Sequence, residues 1–246
     1  MRGPDWLTAR PVAHRGLHDA ARGIVENTPS SVAAAVAAGY GAEVDLQITA
    51  DGEAMVHHDD ALGRLTEGSG RLEAMTAAEL RRVPFKATAD RMISLGELCD
   101  LVAGRTTLVL EMKSRYDEDR RLPLRVMEVL RHYPGPVAAM SFDPLQVAIL
   151  RQTAPSLLRG LVAERHYRPG HKDRASLSNS LAYFRRVVAS RPQFLAYSVR
   201  DLPSPPPLIA RYVAGLPLLT WTVRTPEDRA KAARWADQMI FEGFRP

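Results

Sequence analysis

The 246-residue chain has one cysteine, Cys99, so neither an intramolecular disulfide nor a multi-cysteine metal site is available to it. Lysine is also scarce. Four of the 33 basic residues are lysine (86, 113, 172 and 231) and the other 29 are arginine, a bias that with frequent alanine points to a GC-rich genome rather than to function. No run approaches the ~18 apolar residues that a membrane span requires, and no basic-then-apolar leader opens the chain. There is no internal repeat and no long linker. The one low-complexity patch, residues 203–207 (PSPPP), reads as a stiff loop. The basic residues come with no groove-reading motif and no pattern of stacking aromatics, which argues against a nucleic-acid partner. These absences favour a cytoplasmic enzyme of open oligomeric state, with membrane-surface contact the only membrane association left to it.

Hydrophobic residues make up 46% of the chain and charged residues 25%, which excludes a disordered or fibrous protein. The formal charge is +5. It is unevenly placed: residues 165–191 hold seven Lys or Arg and one acid, whereas the remainder holds 26 basic against 27 acidic residues. The basic stretch either steers an anionic substrate or lipid surface, or is a solvated loop and helix face.

Strand-like and helix-like runs alternate along the sequence. Candidate strands are 11–15, 42–48, 107–113, 136–142, 158–163, 193–199, 217–223 and 238–242. Helix starts are signalled by Thr28-Pro29, Thr76 with Glu79, Ser94 with Glu97, Asp143-Pro144 and Thr225-Pro226. Eight β-then-α steps imply a parallel sheet closed into an α/β barrel, and ~250 residues is its usual length. This gives a single domain over 1–246, with a small insertion at about 59–105. Asp51-Gly52 predicts a two-residue turn, so residues 53–58 return antiparallel as a hairpin after the second strand.

Catalytic groups of such barrels sit at the carboxyl ends of the strands. His14-Arg15-Gly16 ends the first. Glu43 and Asp45 lie two apart on the second and share a face, with Val44, Leu46 and Ile48 on the other. Inward-facing carboxylates repel one another and need a cation. Oxygen ligands favour Mg²⁺ or Ca²⁺, with Mn²⁺ also suitable. Glu111 and Lys113 repeat the spacing on the third strand. With a two-residue turn, paired hairpin positions sum to 103, which sets His58 opposite Asp45 and sends His57 to the other face. The resulting set combines two imidazoles suited to acid/base work, three carboxylates for a metal, and Arg15 and Lys113 for an anion. Phosphodiester cleavage uses all of these parts.

The segments AHRG (13–16), ENTPSS (26–31), GAEVDLQITADGEAMVHHD (41–59), LEMK (110–113), SFDP (141–144) and WTV (221–223) together resemble the glycerophosphodiester phosphodiesterase family. The resemblance covers nearly the whole chain in order. It implies a TIM-type barrel that uses a divalent metal to hydrolyse glycerophosphodiesters to an alcohol and sn-glycerol 3-phosphate, by way of a cyclic phosphate. By position it gives His14 and His58 as catalytic residues, Glu43, Asp45 and Glu111 as metal ligands, and Arg15 and Lys113 as phosphate contacts. His58 is the preferred acid and His14 the preferred base. Two positions depart from the family pattern: Arg224 stands where Asn is usual, and residues 242–246 read EGFRP rather than close to TDRP. Both fall at the mouth, where the leaving group is expected.

Glu26 follows the first strand and has either a site or a capping role, and Trp221 forms either a pocket wall or packing. Cys99 reads as an inert buried thiol. Two other readings compete. The basic stretch suggests a lysophospholipase D, and the altered closing strand suggests a barrel that binds a phosphorylated ligand without turnover.

Overall fold

The computed structural model describes residues 3–165 and 185–246. Nine strands form one sheet: β1 (Val12–Ala13), β2 (Gly41–Ile48), β3 (Ala54–Val56), β4 (Leu108–Met112), β5 (Val137–Ser141), β6 (Leu158–Ala163), β7 (Phe194–Ser198), β8 (Leu218–Val223) and β9 (Gln238–Phe241). Strands β1, β2 and β4 to β9 run parallel, and pairing of β1 with both β2 and β9 closes the barrel. Only β3 is antiparallel, attached to the carboxyl end of β2. Among the described residues no helix is long and apolar enough to cross a membrane.

Strand alternation sorts the side chains. On β2 and β4, Ala42, Val44, Leu46, Leu108, Leu110 and Met112 join the cluster beneath the outer helices. Residues of opposite parity point inward. Val109, Ala138, Met140, Phe194, Leu219 and Ile240 fill the barrel interior, with Glu43, Asp45 and Glu111 on the same parity as Val109. Phe194 is fully buried, a side chain whose burial contributes ~1.5–3 kcal/mol. It lies against Gly160, where a Cβ would overlap its ring, so glycine is required there for packing.

The predicted helix starts are in place. Thr28 caps α1 (Pro29–Ala37), Thr76 caps α2 (Ala77–Arg82), Ser94 caps α3 (Leu95–Val102) and Asp143 caps α5 (Pro144–Thr153), with α4 (Arg121–Leu130) between the last two. Helix α6 (Pro205–Tyr212) corrects one expectation, because the first three residues of this helix are prolines of the PSPPP patch read as a loop. Prolines lose nothing in a first turn, whose N–H groups have no intrahelical acceptors. Thr225 caps α7 (Pro226–Trp235). Residues 242–246, which follow β9, form no helix.

The segment assigned to an insertion divides in two. Leu95, Leu98, Cys99 and Val102 of α3 belong to the barrel's outer layer. Residues before α3 build a separate small core from Leu62, Leu72, Leu80, Phe85 and Met92 with Val25 and Met55. Cys99 is buried, which pushes its thiol up to about 12 and leaves it protonated.

The hairpin register also differs from expectation. Leu46 pairs with Val56 and Ile48 with Ala54, a sum of 102 rather than 103. Thr49 N donates to Glu53 O at 3.0 Å, so the loop has three residues, Ala50, Asp51 and Gly52. Gly52 takes the left-handed conformation (φ 82°) that such a loop requires at its last position. The Thr49 hydroxyl holds the loop, accepting from Glu53 N at 2.8 Å and donating to Asp51 Oδ1 at 2.6 Å.

Candidate active site

The carboxyl ends of the strands gather the predicted residues. His14 and Arg15 lie just past β1, which is shorter than expected. His14 N donates to Phe241 O of β9 at 2.9 Å, and Gly16 N to Glu43 O at 3.0 Å, so the segment is tied to both neighbouring strands. Arg15 adopts φ 56°, and its backbone N donates to Glu43 Oε2 at 2.9 Å.

Glu43 and Asp45 are each 1% exposed, and Asp45 is in register with Glu111 on β4. One oxygen from each of the three carboxylates falls within 4.8 Å of the others. Asp45 is fully engaged. Its Oδ2 accepts from Asn27 Nδ2 at 2.8 Å, and its Oδ1 lies 2.7 Å from Lys113 Nζ. Lys113 Nζ also donates to Glu111 Oε1 at 2.5 Å. Glu43 Oε1 is buried with no hydrogen-bond partner.

The electrostatics separate the two buried acids. Burial pushes the Glu43 carboxyl well up, and the charges of Asp45 and Glu111 add to the push. Burial also opposes the Asp45 charge, but Lys113, His58 and Arg15 hold that carboxyl well below the usual range. Lys113 lies above the ordinary lysine value because Asp45 and Glu111 outweigh its desolvation. An all-oxygen donor set with one buried, unpartnered carboxylate oxygen and a surplus of negative charge fits a hard divalent cation.

Both histidines line the same cleft as Glu43 and Glu111. His14 Nδ1 lies 2.7 Å from Glu242 Oε2, and its Nε2 is 4.0 Å from Glu43 Oε2. His58 Nδ1 lies 2.8 Å from Asp59 Oδ1. The register correction bears on this histidine. A sum of 102 sets His57, not His58, opposite Asp45, and His57 N donates to Asp45 O at 3.0 Å. However, β3 ends at Val56, and the face that carries Met55 and His57 turns to the small core. His57 is buried beside Phe85 in the small core, where burial lowers its imidazole to about 4, whereas His58 faces the cleft. His58 therefore reaches the site through the bend after β3 and not through a shared strand face.

Glu26 accepts from Arg15 Nη1 and from Arg64 Nη2, both at 2.7 Å, and Arg64 Nε is 2.6 Å from Asp59 Oδ2. Glu26 thus joins the two halves of the site. Burial opposes its charge, but Arg64 and Arg15 hold it below the ordinary glutamate value. Trp221 packs edge-on against Phe142 at 5.5 Å and lines a cavity of ≈ 380 Å³ with both histidines. A second cavity of ≈ 600 Å³ adjoins it, sharing His58 and Lys113.

Sequence reasoning missed four residues of this constellation. Asn27 and Asp59 lie inside quoted motifs, where Asn27 reads only as a capping candidate and Asp59 carries no signal of its own; the cap is Thr28, and Asn27 turns to Asp45 instead. Arg64 carries no sequence signal. Glu242 was noted only as a departure from pattern. The two departures meet, since Arg224 Nη2 donates to Glu242 Oε2 at 2.9 Å. Of the basic stretch 165–191, residues 166–184 lie outside the described residues. Arg186 pairs with Glu118 at 2.7 Å on the surface.

Fold and site together define an α/β barrel with a buried acidic cluster and two histidines at its mouth. The glycerophosphoryl diester phosphodiesterase family matches residues 14–244, and the chain belongs to that family. It is 27% identical over 161 residues to a glycerophosphodiester phosphodiesterase of Caldanaerobacter subterraneus, covering 61% of this chain and 65% of the relative. It is 29% identical over 163 residues to glycerophosphodiester phosphodiesterase 1 of Bos taurus, covering 61% of this chain and 48% of the relative. The chain thus spans less than two thirds of the length of both relatives. An Oleispira antarctica phosphodiesterase, solved in complex with the product sn-glycerol-3-phosphate, superposes with a TM-score of 0.78 at 20% identity. That likeness covers 96% of this chain and 94% of the other and shows the shared fold.

Proposed function

We propose that this chain hydrolyses glycerophosphodiesters to an alcohol and sn-glycerol 3-phosphate. The observation that carries the reading is the convergence of Glu43, Asp45 and Glu111, with oxygens within 4.8 Å, in a cleft shared with two histidines that each have a carboxylate on Nδ1. Family membership supports it.

Glu43, Asp45 and Glu111 would hold a divalent cation, Mg²⁺ or Ca²⁺ with Mn²⁺ as a substitute, which when bound supplies positive charge against the phosphoryl oxygens. Arg15 and Lys113 add fixed cations on the same side and orient the phosphate. His14 takes the proton of the glycerol 2-hydroxyl as its oxygen attacks phosphorus. His58 protonates the departing alcohol as the phosphorus–oxygen bond breaks, leaving a cyclic phosphate. The histidines then exchange roles, one deprotonating water and the other protonating the 2-oxygen as the ring opens. Asn27 fixes Asp45 from behind, and Glu26 holds the Arg15 guanidinium near it, with Arg15 Nε 3.4 Å from Asp45 Oδ2. Trp221 and Phe142 form an apolar wall on which the departing group rests.

The test is a substrate panel of glycerophosphocholine, glycerophosphoethanolamine and lysophosphatidylcholine with Mg²⁺, Ca²⁺ and Mn²⁺ in turn, scored for glycerol 3-phosphate. Metal-dependent release from the short diesters is expected. Release of lysophosphatidate from lysophosphatidylcholine alone would move the activity to a lysophospholipase D, and binding without turnover would leave a phospho-ligand-binding barrel.

A further inference from the structure

The two ring nitrogens of His14 have different surroundings. Nε2 faces the acidic cluster, 4.0 Å from Glu43 Oε2, while Nδ1 lies 2.7 Å from Glu242 Oε2. That same Glu242 oxygen accepts from Arg224 Nη2 at 2.9 Å. Arg224 follows β8 directly and Glu242 follows β9, so adjacent strands deliver both. Glu242 N donates to Val223 O at 3.0 Å, which fixes the backbone without using the carboxylate. The side chain is therefore not needed to hold the two strands together.

We propose that Glu242, clamped by Arg224, is a positioning residue for His14: it accepts the Nδ1 hydrogen, fixes the ring plane and leaves Nε2 as the nitrogen that exchanges protons with substrate. A carboxylate beside a guanidinium is ionised and can only accept, so the neutral ring carries its hydrogen on Nδ1. Burial opposes the Glu242 charge, but the bonds from His14 and Arg224 bring its carboxyl down to about 2. A fixed negative charge on Nδ1 also stabilises the imidazolium formed when Nε2 takes a proton. Without it, the ring is free to adopt the other tautomer, with its hydrogen on Nε2 and no lone pair facing the cleft.

This proposal rests on His14 being an acid/base group, so one arm of the test does not depend on turnover. In ¹⁵N-histidine-labelled protein, with His14 signals identified by their loss in His14→Ala, the wild-type ring should show the Nδ1–H form. Glu242→Ala should shift it toward the Nε2–H form while circular dichroism stays unchanged. In the kinetic arm, Glu242→Ala and Glu242→Gln should lower kcat by ~10–100-fold with KM little changed. Arg224→Gln should give a smaller fall in kcat. An unchanged tautomer in Glu242→Ala overturns the proposal. So does a rise in KM at constant kcat, which would make Glu242 a substrate contact. If Glu242→Ala fails to fold, Glu242→Gln and Arg224→Gln carry both arms. A wild-type protein inactive on every diester would refute the phosphodiesterase reading and leave the tautomer measurement to decide this one.

Discussion

His58 takes its carboxylate from the next residue, Asp59, whereas His14 takes Glu242 from 228 positions away. The His58 side chain is 32% exposed and stands on the bend after a three-residue strand, next to the small insertion core. The His14 side chain is 12% exposed and stands where β1 closes on β9. In both places an arginine holds the carboxylate, Arg64 at Asp59 and Arg224 at Glu242. The same chemical device is thus built once from local sequence and once from barrel closure. The local version is more open to water, which can replace a lost partner. In the closure version the ring is drier, while the two carboxylates are about equally exposed, Asp59 at 24% and Glu242 at 23%.

Removing the rings themselves should have the largest effect and show both halves to be required. His14→Ala and His58→Ala should each lower glycerol 3-phosphate release by ~10² or more while the proteins stay folded by circular dichroism. Full turnover by either variant would break the symmetry of the comparison and remove that histidine from the mechanism.

The acidic cluster that shares the cleft with both halves predicts a pH effect in chelator-treated protein. Glu43 is raised, so the folded state keeps a proton there that the unfolded chain has released. Between the ordinary glutamate value and the raised one, stability falls as pH rises, by at most about 1.4 kcal/mol per pH unit. Asp45 is depressed, so its contribution is lost only as pH falls through the acid range and does not offset this slope. His57, lowered to about 4, gives an opposing rise up to the ordinary histidine value. The Glu43 contribution is therefore read as a difference: in chelator, wild-type stability relative to Glu43→Gln should fall from about pH 5 to about pH 7. Glu43→Gln should also lose measurable Mn²⁺ binding by calorimetry. Wild-type stability that rises relative to Glu43→Gln over that range would contradict the charge assignment.

The local and closure halves should differ in their sensitivity to loss of the partner. Asp59→Asn is expected to lower kcat by ~10-fold or less, below the effect of Glu242→Gln, because His58 is the more exposed ring. Equal losses would show that exposure is not what distinguishes them. Arg64→Gln should matter least. Its side chain is 46% exposed, and exposed ion pairs contribute ~0–1 kcal/mol, so activity should stay within about fivefold of wild type.

Glu43, Asp45, Glu111 and Lys113 were legible because strand alternation assigns a face without any tertiary information. The capping residues Thr28, Ser94 and Thr225 were legible for a similar reason, since a helix start is satisfied by a residue two or three positions away. The hairpin register was not. Asp-Gly serves a two-residue turn and the end of a three-residue loop equally well, and the Thr49 hydroxyl selects the second. That single residue of slip moved the strand-face argument from His58 to His57. Only the early end of β3 brings His58 into the cleft.

The sequence by itself determined the barrel class, which side chains turn inward, and the family of segments that carry them, because each depends on short-range periodicity or local capping. Tertiary structure alone decided that Asn27 backs Asp45, that Glu26 bridges Arg15 and Arg64, and that Arg224 and Glu242 converge on His14. Those pairings cross strands and loops distant in sequence. Their geometry exists only once the barrel has closed and buried polar groups have found partners at hydrogen-bonding distance.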